Sequence, residues 1–333
     1  MSTKDTHSKL WHFFFTDGFR ISLNVFNIIG IIFFIFVIYK TYTKRKNSKY
    51  NILFLMMISV MISGLILNFG FLLNWKIKKD DNTNERELLF GNTEGFICQA
   101  QSFIVASSQS SRETFTTLLI FLVFLGYFSE NLKTEQLYLK ILVEILGFGL
   151  PFIAALIYSL LGAFGESHLF CFTKKKVDTV TSTCGTIHFF YIFILLILSV
   201  VFTLFIIFKD CCKKYDAWAD DKDVNEVNSE VEKKKKCLDP KLKKIILYPI
   251  AQICSMFFVF YYRFRDYFFH NINDNNGFII AGWVAIANII SSLVYTLIFS
   301  ISNSIFTSPN EINIEKDKTS DSKEYNLYDI EEK

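Results

Sequence analysis

The sequence predicts an all-α membrane protein, a seven-transmembrane helix bundle, and three observations predict it. Seven apolar stretches, each about as long as a bilayer crossing, punctuate the 333 residues. Hydrophobic residues make up 51% of the chain, with 38 Phe and only 4 Pro, which is more apolar surface than a soluble core of this size can hide. A lysine-dense connector lies between the fifth and sixth stretches, a composition retained on the cytoplasmic side. A ~30 Å hydrocarbon core takes about 20 helical residues per crossing. Inside it backbone polar groups must pair within the segment, which leaves helices as the solution.

The elements follow in order. Residues 1–20 form a short outer tail; Leu10–Phe15 is too short an apolar run for a cleavable signal, so the first span directs insertion itself. That span, Ile21–Tyr39, ends in the basic block Lys40, Lys44, Arg45, Lys46 and Lys49, which places the N-terminus outside. Asn51–Trp75 returns outward to a polar stretch of mixed sign, residues 76–95. Phe96–Tyr127 and Leu137–Phe164 flank a short inner loop, Ser129–Glu135. An outer segment, residues 165–186, precedes Ile187–Phe208. The third inner loop, about 209–244, joins an acidic centre to the run Lys233–Lys236, which suits anionic inner-leaflet lipid. Ile245–Tyr262 and Phe278–Phe299 complete a bundle over residues 21–302, and residues 303–333 form a polar inner tail.

Several function classes fall away. The net charge is only +3, and the basic residues gather at membrane borders, so the composition offers nothing to nucleic acid. There is no phosphate-binding loop and no metal-spaced His/Cys cluster, so neither an enzyme nor a cofactor protein is expected. Phe278–Phe299 contains no lysine to carry a retinal Schiff base. No internal repeat supports a two-halved transporter.

The candidate site lies in the third span. Ser107–Thr117 reads SSQSSRETFTT between Phe- and Leu-rich flanks. Arg112 and Glu113 stand about 14 and 15 residues below Cys98, or ~21 Å of helix. Ionisable groups so deep face the bundle interior and pair. Adjacent positions point about 100° apart, so each is expected to meet another helix, with Glu144 as the candidate partner for Arg112. Arg112, Glu113 and Glu144 then form a conformational lock, a packing network, or the floor of a ligand site. Gln101, Ser108 and Arg112 fall near one helical face, and Tyr262 with Arg263 at the outer end of the sixth span supplies an opposite wall. Interfacial anchoring and snorkelling are the plainer roles for that tyrosine and arginine.

Pro249 removes a backbone bond in the sixth span and marks a hinge; Pro151 bends the fourth. Cys211 and Cys212 follow the fifth span, where lipidation is common. Cys98, Cys171 and Cys184 lie on the presumed outer, oxidising side, and spacing alone chooses no pairing among them.

The chain resembles G-protein-coupled receptors, most closely the slime-mould cyclic AMP receptor-like group. Cys98-Gln99-Ala100-Gln101-Ser102-Phe103 is similar to that group's Cys-x-x-Gln-x-Phe opening of helix 3. Gly147-Phe148-Gly149-Leu150-Pro151 looks like its Trp-Gly-x-Pro segment, with Phe148 for Trp. Phe170-Cys171-Phe172 matches an aromatic-Cys-aromatic triplet, and Leu247-Tyr248-Pro249 a helix 6 Tyr-Pro. The matches span helices 3 to 6. Leu125-Gly126-Tyr127-Phe128 stands where rhodopsin-like receptors carry Asp-Arg-Tyr, and no Asn-Pro-x-x-Tyr follows Asn288, so that class is set aside. The resemblance implies a Cys98–Cys171 disulfide and a multi-pass receptor of the plasma membrane. An extracellular ligand would act on a heterotrimeric G protein through helix 6 movement. The rival class is an ion or proton transporter or channel using Arg112, Glu113 and Glu144.

Overall fold

The computed structural model describes residues 17–44, 52–73, 76–78, 86–88, 95–128, 137–166, 170–173, 179–224, 240–269 and 274–302. Residues 1–16 of the N-terminal tail, the connections at 45–51 and 129–136, Lys233–Lys236 and the C-terminal tail from 303 lie outside the described residues. Each of the seven apolar runs forms a helix: α1 (Asp17–Lys44), α2 (Ile52–Leu73), α3 (Phe96–Phe128), α4 (Leu137–Leu160), α5 (Thr179–Val224), α6 (Pro240–Phe269) and α7 (Asp274–Ser302). Two small antiparallel hairpins join them, β1 (Lys76–Lys78) with β2 (Arg86–Leu88) and β3 (Phe164–Glu166) with β4 (Cys171–Thr173). Among the described residues five helices, α1, α2, α4, α5 and α7, are long and apolar enough to cross a membrane. In α6 the described apolar stretch is shorter, Ile246–Tyr261, and α3 carries its polar stretch in mid-helix.

Burial explains why the chain is mostly helix. Large apolar side chains cover the outside, Ile32 at 62% and Phe208 at 68% exposure, whereas Arg112 and Glu113 are at 0%. That inversion of the soluble pattern suits lipid as solvent. Helix α3 sits centrally, packed on α2, α4, α5 and α6, while α1 touches α2 and α7, and α6 lies between α5 and α7. One apolar cluster gathers Leu67, Phe71, Val105, Phe170 and Ala285. Another gathers Met56, Phe115, Leu119, Tyr248 and Tyr295. The polar residues of α3 lie between them in the chain.

Several helix boundaries differ from expectation, and at the fourth and fifth helices the reason is local. The fourth helix stops at Leu160 rather than reaching Phe164. Gly162 takes φ +67°, the amide of Ala163 donates to the Tyr158 carbonyl at 2.9 Å, and the Gly162 amide to that of Ser159 at 3.0 Å. This is the glycine-terminated helix end in which two crossed bonds satisfy orphan carbonyls. Within α4 a π turn, Ile145–Gly149, precedes Pro151, and the Leu150 amide reaches back to the Ile145 carbonyl. The wider turn makes room where a proline offers no amide and its ring crowds the carbonyl four residues back.

The fifth helix starts eight residues before Ile187. Two of its opening threonines return their hydroxyls to their own helix, Thr183 to the Thr179 carbonyl at 2.7 Å and Thr186 to that of Ser182 at 2.8 Å. At the other end α5 runs on to Val224 and α6 begins at Pro240, so much of the expected third loop is helical. No Gly or Pro interrupts Lys209–Val224, and a proline at the first helical position sacrifices no hydrogen bond.

Candidate functional site

Two linked constructions occupy the bundle, a covalently anchored cap and a buried ionic clasp. The cap is the β3–β4 hairpin. Cys98 at the start of α3 is disulfide-bonded to Cys171 of β4, with Cα atoms 5.2 Å apart, and both are fully buried. Gln101, one turn further on, is also fully buried. Its Nε2 donates to the Gly70 carbonyl of α2 at 3.0 Å, and its Oε1 accepts from the Cys171 amide at 3.0 Å. Phe170 meets Phe71 edge to face at 5.1 Å within the apolar cluster shared by α2, α3 and α7. Gln101 therefore clamps the hairpin to α2 and α3. Ser108 directs its hydroxyl to the Ile104 carbonyl of its own helix.

The clasp corrects one expectation. Arg112 pairs with its neighbour Glu113, not with Glu144: Nε and Nη2 donate to Glu113 Oε1 at 2.9 and 2.8 Å. Neighbouring side chains leave the helix in different directions, but the arginine is long enough to curl back around one carboxylate oxygen. The rest of its donors cross to α7. Nη2 donates to Asn288 Oδ1 at 2.9 Å, and Nη1 reaches Ser291 Oγ at 2.9 Å, Ser292 Oγ at 3.2 Å and the Asn288 carbonyl at 3.3 Å. The guanidinium carbon also lies 5.5 Å from the Tyr295 ring centroid, within cation–π range. All the N–H groups of the guanidinium thus have acceptors. Glu144 stands apart, half-buried, and takes the Ser59 hydroxyl of α2 at 2.9 Å. The lock expected over three residues is a two-residue pair anchored on α7.

The α7 partners of Arg112 are the residues of this site that sequence reasoning missed. Their signal is present: Asn288, Ser292, Thr296 and Ser300 recur every four residues in an otherwise apolar helix, with Ser291 alongside. Such a stripe puts small polar side chains on one face. Each hydroxyl in it bonds the carbonyl one turn back, at 2.9, 3.0 and 2.8 Å, so the face stays slim enough to take a guanidinium. On α3 the same device recurs at Thr116 and Thr117, which bond the carbonyls of Arg112 and Glu113. Thr117 also touches Ser199 of α5 at 2.9 Å, and Thr114 meets Tyr191 at 2.6 Å.

Helices α3 and α4 meet closely just below the clasp. A methyl carbon on Gly147 would stand 2.2 Å from the Phe115 ring, which also meets Phe148 at 4.7 Å. Pro249 is buried inside α6, which continues through it, and the preceding Tyr248 stacks on Tyr295 at 5.8 Å. Tyr262 and Arg263 belong to α6, with side chains outside the described residues. Cys211 is half-buried and Cys212 exposed, both within α5 rather than beyond its end. Among the described residues no cluster of His, Cys, Asp or Glu forms a metal site. No protein-family model matches the chain, and comparison with characterised proteins finds no match.

Proposed function

We propose that this chain is a cell-surface receptor of the G-protein-coupled type, crossing the plasma membrane seven times with its N-terminus outside. The observation that carries the reading is the Arg112–Glu113 clasp on α7. It joins the central helix to a peripheral one through a few replaceable polar contacts, and so gives the bundle a discrete bond to break. A ligand held between the hairpin cap and the outer end of α6, near Tyr262 and Arg263, would favour one of two arrangements by its differential affinity. Gln101, Ser108 and Arg112 transmit that choice from α3. The inner half of α6 then swings at Pro249 and opens a cleft for a heterotrimeric G protein. The helical extension of α5 to Val224 lengthens the surface available there, and Cys211 and Cys212 on it are candidates for lipidation.

The test is guanine-nucleotide exchange on purified heterotrimeric G proteins by the full chain in lipid nanodiscs. Arg112→Gln, which loosens the clasp, is expected to raise ligand-independent exchange over the wild type. If neither protein stimulates any G protein while both reach the cell surface, the receptor reading fails. The transporter reading draws on the same charged residues, but Glu144 bonds Ser59 and takes no part in the clasp. Ion or proton flux through reconstituted liposomes, abolished by Glu113→Gln, would favour it.

A further inference from the structure

Between the clasp and the hairpin cap the described residues bury no Lys, Arg, Asp or Glu. Arg112 and Glu113 neutralise each other, and the guanidinium directs its N–H groups to Glu113 and α7. Glu144 on α4 takes the Ser59 hydroxyl, and Asp210 lies near the far end of the α5 span. The His188 ring meets Tyr158 and Phe172 edge to face, at 6.1 and 5.7 Å.

One turn above Arg112, Gln109 is 3% exposed and gives its Nε2 donor to Met256 Sδ of α6 at 3.8 Å. A thioether is a weak acceptor. This bond is therefore less secure than those α3 makes with oxygen atoms on α2, α5 and α7. Met256 is fully buried. One turn further out on α6, Phe260 lies edge-on to Phe189 and Phe193 of α5, at 5.5 and 5.4 Å. The α5–α6 seam beside the amide is thus sulfur and phenyl.

These surroundings select the charge of a ligand at this depth. An anion would need a cation, and Arg112 supplies one only by releasing Glu113. An ammonium group would need a carboxylate, and Glu113 is held by Arg112. Either charge would be buried unpaired, which is costly. A neutral oxygen acceptor meets no such cost and offers Gln109 a better partner than sulfur. Phenyl rings and a thioether favour an aromatic or apolar body. We propose that the ligand group reaching α3 is uncharged, aromatic or apolar with a carbonyl-type acceptor, and takes the Gln109 amide from Met256. The proposal rests on the receptor reading and names the ligand class for it; a phosphate or carboxylate is excluded from this level.

Saturation-transfer NMR on the full chain in zwitterionic lipid nanodiscs, referenced to empty nanodiscs, tests this with benzamide, benzoate and benzylammonium. Benzamide is expected to bind, and each ion to bind about tenfold or more weakly because its charge finds no partner. Gln109→Leu removes the amide and is expected to abolish the benzamide signal. Met256→Leu keeps an apolar side chain, removes the competing sulfur and is expected to tighten benzamide several-fold. The proposal is overturned by an ion that binds as well as benzamide, or by no benzamide binding at all. Binding that survives Gln109→Leu or weakens in Met256→Leu also overturns it. Probe binding is read without a G protein, so failure of the receptor reading, seen as absent nucleotide exchange, is a separate result.

Discussion

Arg112→Met is the most informative perturbation of the clasp. The methionine keeps most of the arginine's length but removes every donor. Glu113, fully buried, then loses its counter-charge, and breaking a buried pair from one side costs about 3–5 kcal/mol. On α7 the hydroxyls of Ser291 and Ser292 keep their bonds to the Asn288 carbonyl. Asn288 Oδ1, however, loses the donor it has in Arg112, a further loss of about 1–3 kcal/mol. Shared relaxation makes the two less than additive, so about 5 kcal/mol is expected. At roughly 2 °C per kcal/mol for a large chain, that is a fall on the order of 10 °C. Size-exclusion thermostability of the detergent-purified protein reads it. Arg112→Met combined with Glu113→Gln removes the stranded charge and is expected to recover more than half of the loss. A single variant melting within ~2 °C of wild type, or a double variant no better than the single, would refute the reasoning that the pair is a charge clasp.

Further outcomes follow from the surrounding contacts. Gly147→Ala drives a methyl group into the Phe115 ring, and overpacking of this kind costs about 1–3 kcal/mol, visible as a lower melting temperature that Phe115→Leu partly restores. Cys98→Ser, Cys171→Ser and the double variant are expected to lose the same stability, because each removes one bond. Chain entropy for a separation of 73 residues bounds that loss at about 4 kcal/mol. Gln101→Leu leaves the Cys171 amide without its acceptor, so hydrogen–deuterium exchange at Cys171 should accelerate while exchange in mid-α3 is unchanged. Glu144→Gln keeps an acceptor for Ser59 and is expected to shift stability by less than about 1 kcal/mol, an order that places Glu144 outside the clasp.

Helix positions were legible because bilayer length and backbone pairing leave an apolar run of about 20 residues few alternatives. Helix ends were less so. Thr179–Thr186 reads as loop by composition, yet its hydroxyls bond back into α5 at Thr183 and Thr186, a self-sufficiency that composition does not display. The π turn at Ile145–Gly149 depends on how Pro151 is accommodated against neighbouring helices. At the site, the depth of Arg112 and Glu113 announced a buried charge, but not its partner. Helical spacing argued against a neighbour pair, and side-chain length overrode it. Asn288 lacks the proline of an Asn-Pro-x-x-Tyr motif, and its four-residue repeat with Ser292, Thr296 and Ser300 is the better guide to its contacts.

The hairpin's anchorage has a mechanical corollary. Its covalent root is on α3, the helix with neighbours on most sides, and Gln101 adds a second fastening to α2. A cover riveted to the central post stays put when outlying helices tilt. On the receptor reading proposed above, a ligand would therefore reach the interior beside a stationary hairpin, through a gap between the outlying helices.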